Sequence, residues 1–327
     1  MATSAIFPTV APRAGMYESF YLRAVSPLEP LGVWIRYTVH KRPGEPPLGS
    51  LWCTMFRPGT QRPFQHKLTT GELDAPANAW ISVGEAEMGP GRAEGRCGEA
   101  SWSLRFASRE DELRHLTPGW LYRTPFPRTK LTSPAPAARF DGVLEVEGRL
   151  VELEDWPGMV GHNWGSEHAE RWIWLSGAGF EGQEQAWLDV ALGRLKLGGH
   201  MTPWVANGVL SLGVHRHRLG GLAARGLRVQ EGPEGCRLHL TGQHGLAIEG
   251  RVSIPPGAAA GWRYADPDGG EHDVINCSVA ALELDVTLPG AAGRTLLRSA
   301  HGGAYELGLR ERDHGIPIAA FADGSER

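Results

Sequence analysis

Val33-Trp34-Ile35-Arg36-Tyr37-Thr38-Val39 reads as a β-strand with two unlike faces. Val33, Ile35, Tyr37 and Val39 fall on one side, and Trp34, Arg36 and Thr38 on the other, which is the two-residue period of an extended chain. The pattern recurs along the sequence. Trp102, Leu104 and Phe106 alternate with Ser103 and Arg105. Leu144, Val146 and Leu150 alternate with Glu145, Glu147 and Arg149. Leu246, Ile248, Val252 and Ile254 alternate with Ala247, Glu249, Arg251 and Ser253. Leu282, Leu284, Val286 and Leu288 alternate with Glu283, Asp285 and Thr287. The turns between such segments draw on 44 glycines and 24 prolines, too many for long helices. The expected fold class is therefore all-β, built of antiparallel sheets with one buried face. One short helix is expected over residues 108–116, where Ser108 and Asp111 fit a capping box.

A chain of 327 residues fits two domains of roughly 150 residues each. The segment 124–139 carries Pro125, Pro127, Pro134 and Pro136 among small residues and reads as a connection. The expected organisation is an N-terminal barrel over 1–125, a Pro-rich linker over 126–140 and a C-terminal barrel over 141–327. Closing each sheet into a barrel hides its edges. A net charge of −4 argues against nucleic acid as partner. No apolar run reaches the ~18 residues of a membrane-spanning helix. Met1 to Gly15 lacks the apolar core of a signal peptide. Cys53, Cys97, Cys236 and Cys277 form no C-x-x-C pair, so a reducing cytoplasm is expected. The sequence leaves the oligomeric state open.

Titratable groups and indoles are densest in Gly161-His162-Asn163-Trp164-Gly165-Ser166-Glu167-His168-Ala169-Glu170-Arg171-Trp172-Ile173-Trp174. A turn is expected around Gly165, followed by a strand from Arg171 that sets Trp172 and Trp174 on one face. Two readings stay open. In one, Arg171 and Asn163 bind loop carbonyls and close a barrel corner. In the other, the segment is a pocket mouth where His162, Glu167 or His168 exchanges a proton and indole faces stabilise a cation. The twelve tryptophans divide in the same way between core packing and an aromatic-lined cavity.

Two further carboxylates stand out. Glu18, in Tyr17-Glu18-Ser19-Phe20-Tyr21-Leu22-Arg23, is expected to pair with Arg23 or Arg36. Asp189 shares a strand face with Trp187 and is expected to point to solvent or into a barrel lumen. His162 and His168 stand six apart, and His215 and His217 two apart. Neither spacing matches H-E-x-x-H, so no metal is expected. G-x-G-x-x-G, G-x-x-x-x-G-K-[ST] and G-x-S-x-G are absent, so no nucleotide or nicotinamide cofactor is expected either.

Two stretches resemble a known group. Glu18-Ser19-Phe20-Tyr21-Leu22-Arg23 followed by Trp34-Ile35-Arg36-Tyr37 forms the first. Gly161-His162-Asn163-Trp164-Gly165 followed by Arg171-Trp172-Ile173-Trp174 forms the second. Both are similar to the tocopherol cyclase-like and hydroxyneurosporene synthase (carotenoid 1,2-hydratase) superfamily, which includes AttH-like proteins of unassigned activity. Tocopherol cyclases have a similar N-W-G … R-W-x-W stretch. The resemblance implies two lipocalin-like, calycin-type β-barrels side by side. It implies action on polyenes or prenylated rings by hydration, cyclisation or, in fungal relatives, decalin-forming Diels–Alder closure.

The expectation is then a cofactor-independent enzyme acting on an apolar isoprenoid- or polyketide-like molecule. Glu167, His162 or Asp189 supplies the proton, and Trp164, Trp172, Trp174, Arg171, His168, Asn163 and Glu18 contact the ligand. The rival reading is a non-catalytic carrier of a hydrophobic small molecule. A titratable group facing the apolar site separates the two.

Overall fold

The computed structural model describes residues 3–57, 59–60, 62–221, 224–288, 290 and 293–321. The outer ends of both expected domains, 1–2 and 322–327, lie outside the described residues. Strands dominate. Among the described residues the helical elements are three short 3₁₀ turns, Phe7–Thr9, Gly119–Arg123 and Gln243–Gly245. None is long and apolar enough to cross a membrane.

Two large antiparallel sheets form, one nearly closed into a barrel and one a half-barrel, consistent with two lipocalin-like barrels. In the first, Phe64–Thr70, Leu48–Phe56, Gly32–Lys41, Met16–Val25, Arg149–Gly165, Thr129–Val146, Ala100–Ser108, Arg92–Cys97 and Ala86–Gly89 lie side by side. In the second the order is His215–Gly220, Val205–Leu212, Trp187–Arg194, Arg171–Gly177, Arg294–Leu309, Glu271–Thr287, Ala247–Ser253, Gly235–Thr241 and Arg228–Gly232. Taken in chain order, these nine strands follow the same path in both sheets. Each sheet is closed by one long hairpin near the end of its sequence.

The predicted alternation holds at Val33–Val39. Val33, Ile35, Tyr37 and Val39 enter the core of the first barrel. Trp34 crosses to the core of the second, joined there by Val25, Trp52 and Phe56. Burying each such side chain stabilises by roughly 1.5–3 kcal/mol, so the outer face of these strands cements the two barrels. Leu282, Leu284 and Val286 are buried as expected.

Leu150 departs from the expectation at 62% exposure. Glu147 and Gly148, both at positive φ, make a two-residue turn. That turn pairs Leu144 with Val151 and sends Leu150 outward opposite Glu145.

The expected linker is instead a strand. Residues 129–146 pair with 149–165 and complete the first sheet, so the passage to the second sheet falls at 166–170. Pro134 and Pro136 sit at the register shifts on either side of Ala135, where a missing N–H costs no ladder bond. The expected helix at 108–116 does not form. Ser108 Oγ accepts the N–H of Glu110 at 3.1 Å, a local turn, and Leu113–Arg114 pairs as a strand.

The four cysteines are free and buried. Arg23 is a core residue whose guanidinium is only partly satisfied. It is fully buried, one Nη donates to Ser278 O at 2.9 Å, and Nε and the other Nη have no partner. Burial pulls its guanidinium down to about 10. Arg23→Met is expected to stabilise the protein by about 1–3 kcal/mol in denaturant titration, because an unpaired buried charge is replaced by packing. A loss of stability would show that the guanidinium is engaged.

Candidate active site at the seam between the sheets

Strand parity sorts the expected site residues into three places. Even-numbered residues of Met16–Val25 face the first barrel, so Glu18 meets neither Arg23 nor Arg36. Its Oε1 lies 2.7 Å from His162 Nε2. The same carboxylate accepts the backbone N–H groups of Ile6, at 2.8 and 3.0 Å, and Phe7, at 2.8 Å. Phe20 stacks on one side of His162 and Trp164 on the other, with centroids at 4.0 and 4.5 Å. This is a tied pair under an N-terminal strap whose Ala5 and Phe7 pack on the first core.

The second place is the outer surface. Glu167 pairs with Arg128, and Arg171 with Glu231 at 2.8 Å and Glu311 at 2.6 Å. The expected turn at Gly165 lies one step later, since Asn163 and Gly165 still belong to strand Arg149–Gly165.

The third place is the seam. Asp189 points neither to solvent nor into a lumen. Leu188, Val190 and Leu192 take the second core, which turns Asp189 toward the first sheet. There it is fully buried. Oδ1 accepts Trp174 Nε1–H at 3.0 Å, and Oδ2 accepts Ser133 Oγ–H at 2.5 Å. His115 Nε2 lies 3.3 Å from Oδ2, while its Nδ1–H donates to Asn207 O at 3.1 Å. Asp189 thus has two hydrogen-bond donors and one imidazole against it, with no exposure to solvent.

Glu306, unmarked by the sequence reading, is the half-buried carboxylate of the seam. Its Oε1 accepts Trp172 Nε1–H at 2.9 Å, and its Oε2 accepts Tyr264 OH at 3.2 Å and Asn276 Nδ2–H at 3.3 Å. The Arg36 guanidinium stands 4.1 Å over the Tyr264 ring, with Trp52 and Trp34 also facing it at 5.9 and 6.0 Å. Arg36 Nε donates to Ser19 Oγ at 2.5 Å. The contacts thus run from the second sheet to the outer face of the first. Tyr21 closes this region by meeting Trp174 edge-on at 5.5 Å. Burial raises the phenols of Tyr21 and Tyr264 well above their usual value, so both stay protonated. Two glycines make room for the rings. A Cβ at Gly161 would lie 2.1 Å from Tyr21 Cζ, and one at Gly308 would lie 2.2 Å from the Trp172 ring.

Beside Trp172 lies a cluster that sequence spacing did not reveal. His168 Nδ1 is 2.7 Å from Asp266 Oδ1, and His272 Nδ1 is 3.7 Å from Asp266 Oδ2. Burial and the neighbouring His168 pull His272 down to about 4, leaving it a neutral imidazole at pH 7. Hydrogen bonding to His168 holds Asp266 below its usual value against the opposing effect of burial. Two shallow surface concavities, around Arg228–Arg251 and around Glu231–Ile316, contain none of Glu18, Asp189 and Glu306.

Fold and site together define a two-barrel, lipocalin-like protein whose aromatic and titratable residues meet between the barrels. Known proteins agree with the architecture. The crystal structure of an AttH from Nitrosomonas europaea superposes with a TM-score of 0.55, at 14% identity, over 93% of this chain and 96% of that one. Kievitone hydratase from Nectria haematococca gives 0.50 at 9% identity, over 91% and 89%. By sequence, an uncharacterized protein of Mycobacterium tuberculosis, found in strains CDC 1551 / Oshkosh and H37Rv, is 24% identical over 98% of this chain and 94% of its own length. No family model matches.

Proposed function

We propose that this protein is a hydratase or cyclase acting on an apolar, unsaturated isoprenoid- or polyketide-like molecule at the seam, with Glu306 moving the proton. The observation that carries this reading is a half-buried carboxylate set between Trp172 and Tyr264. In its acid form Glu306 gives its proton to one carbon of a C=C bond, and the other carbon becomes cationic. The carboxylate left behind, held by the Trp172 N–H and the Tyr264 OH, stabilises that cation as its counter-charge. Water adds and returns a proton to Glu306, or a neighbouring double bond adds and a proton lost from carbon returns. The enzyme ends as it began in either case.

The other candidates are placed less well. Glu167 is paired with Arg128 at the surface, His162 is tied to Glu18, and Asp189 is fully buried, whereas Glu306 keeps partial exposure. A fold shared with a hydratase adds support. The interiors of both barrels carry packed side chains such as Phe20, Tyr37, Trp102 and Phe140 in the first and Trp262, Tyr305 and Leu284 in the second, which weighs against a lumen carrier.

The test is mass spectrometry of an apolar cell extract of the host, incubated with and without the protein. Conversion of a compound to an isomer, or to a species one water heavier, is expected. Compounds retained on the protein but recovered unchanged would make it a carrier and remove the proton-transfer role.

A further inference from the structure

His168, Asp266 and His272 come from separate segments. His168 lies in the connector 166–170 between the sheets, Asp266 follows strand Ala260–Ala265, and His272 lies in strand Glu271–Thr287. Their ligand-type atoms all lie within 4.8 Å of one another. A tetrahedral ion with bonds of about 2.0–2.1 Å holds its ligand atoms about 3.3 Å apart. The His168–Asp266 and Asp266–His272 separations of 2.7 and 3.7 Å bracket that spacing.

What singles the cluster out is its unmet polarity. Asp266 and His272 are fully buried. Asp266 Oδ2, both nitrogens of His272 and Nε2 of His168 have no hydrogen-bond partner. Buried polar atoms are ordinarily satisfied, and four orphans in one place call for a missing partner. The geometry is also rigid. Tyr17 stacks on His168 at 3.9 Å and 12°, and Trp172 stacks on it at 5.3 Å and 22°. Nearby cations are already engaged: Arg310 lies 3.9 Å from Asp266 but is bound to Glu170 at 2.9 Å, and Arg312 is bound to Glu271 at 3.1 Å.

We propose that His168, Asp266 and His272 bind one divalent transition-metal ion, of the zinc class, that clamps the inter-sheet connector onto the second barrel. Two imidazoles and one carboxylate suit zinc, cobalt or iron rather than calcium or magnesium, which prefer all-oxygen shells. On binding, the hydrogen on His168 Nδ1 shifts to Nε2, so the ring nitrogen facing Asp266 becomes a ligand. Asp266 Oδ2 and one nitrogen of His272 gain the partner they lack.

The experiment is titration of tag-free, chelator-treated full-length protein with Co²⁺ and then Zn²⁺, followed by visible absorption, calorimetry and thermal melting. One equivalent of Co²⁺ is expected to bind with tetrahedral-type visible bands, to be displaced by Zn²⁺ and to raise the melting temperature. Asp266→Asn and His272→Gln should each weaken binding more than about 100-fold, the scale set by losses of outer-shell partners alone. His239→Gln, at a surface histidine paired with Glu249, should leave it unchanged. If His272→Gln fails to fold, Asp266→Asn, which keeps the side-chain shape, decides the matter. Absence of saturable binding, or binding unaltered in Asp266→Asn, would overturn the assignment.

Discussion

Glu18→Ala is expected to destabilise the protein by about 3–5 kcal/mol, the usual cost of removing one member of a buried charged network. The size follows from what the carboxylate serves. It accepts two backbone N–H groups of the strap and faces His162, and it is itself fully buried. Alanine would strand all three groups in the mouth of the first barrel and release the segment carrying Phe7. Glu18→Gln is expected to cost far less, about 1 kcal/mol. Its oxygen can take the strap N–H groups while its amide donates to the other tautomer of His162. Denaturant titration gives both values, and limited proteolysis before Met16 reports strap release. Equal stability of Glu18→Ala and the parent would show that the strap is held by packing alone.

The alternation around Val33–Val39 was enough to announce sheets, because a period of two survives wherever one face meets a core. It could not announce that both faces of Trp34-containing strands are buried, one in each barrel. Prolines misled at 124–139 for a related reason. In a single sequence Pro134 and Pro136 look like linker residues, and only the partner strand shows that they occupy bulges.

The same limit governs the site. The indole-rich run from Gly161 to Trp174 was visible, yet local sequence cannot say that strand parity sends His162 and Trp164 to one barrel and Trp172 and Trp174 to the seam. Glu306 carried one usable sign. It sits between Ala304 and Gly308 on the face opposite Tyr305 and Leu307, a carboxylate flanked by small residues that leave room for aromatic rings. The set His168, Asp266 and His272 had none, since one ligand lies about a hundred positions from the others.

Glu306→Gln is expected to lower kcat/KM by about 100- to 10,000-fold, the range for losing a positioned acid–base group. Folding should survive, because the amide can be accommodated. Its oxygen takes the Trp172 N–H. Its nitrogen faces Tyr264 OH, which can accept, and Asn276, whose Oδ1 is buried without a partner and can turn to meet it. The stability cost is then about 1 kcal/mol, one rearranged hydrogen bond. The variant therefore separates chemistry from structure. If proton transfer is the role, ligand binding and melting temperature stay near those of the parent while turnover disappears. If Glu306 only orients Trp172 and Tyr264, Glu306→Gln retains most of its activity, and Trp172→Phe is the more damaging change. The pair of variants, assayed on the compound that the extract experiment identifies, decides whether the seam carboxylate reacts or merely holds the aromatic wall in place.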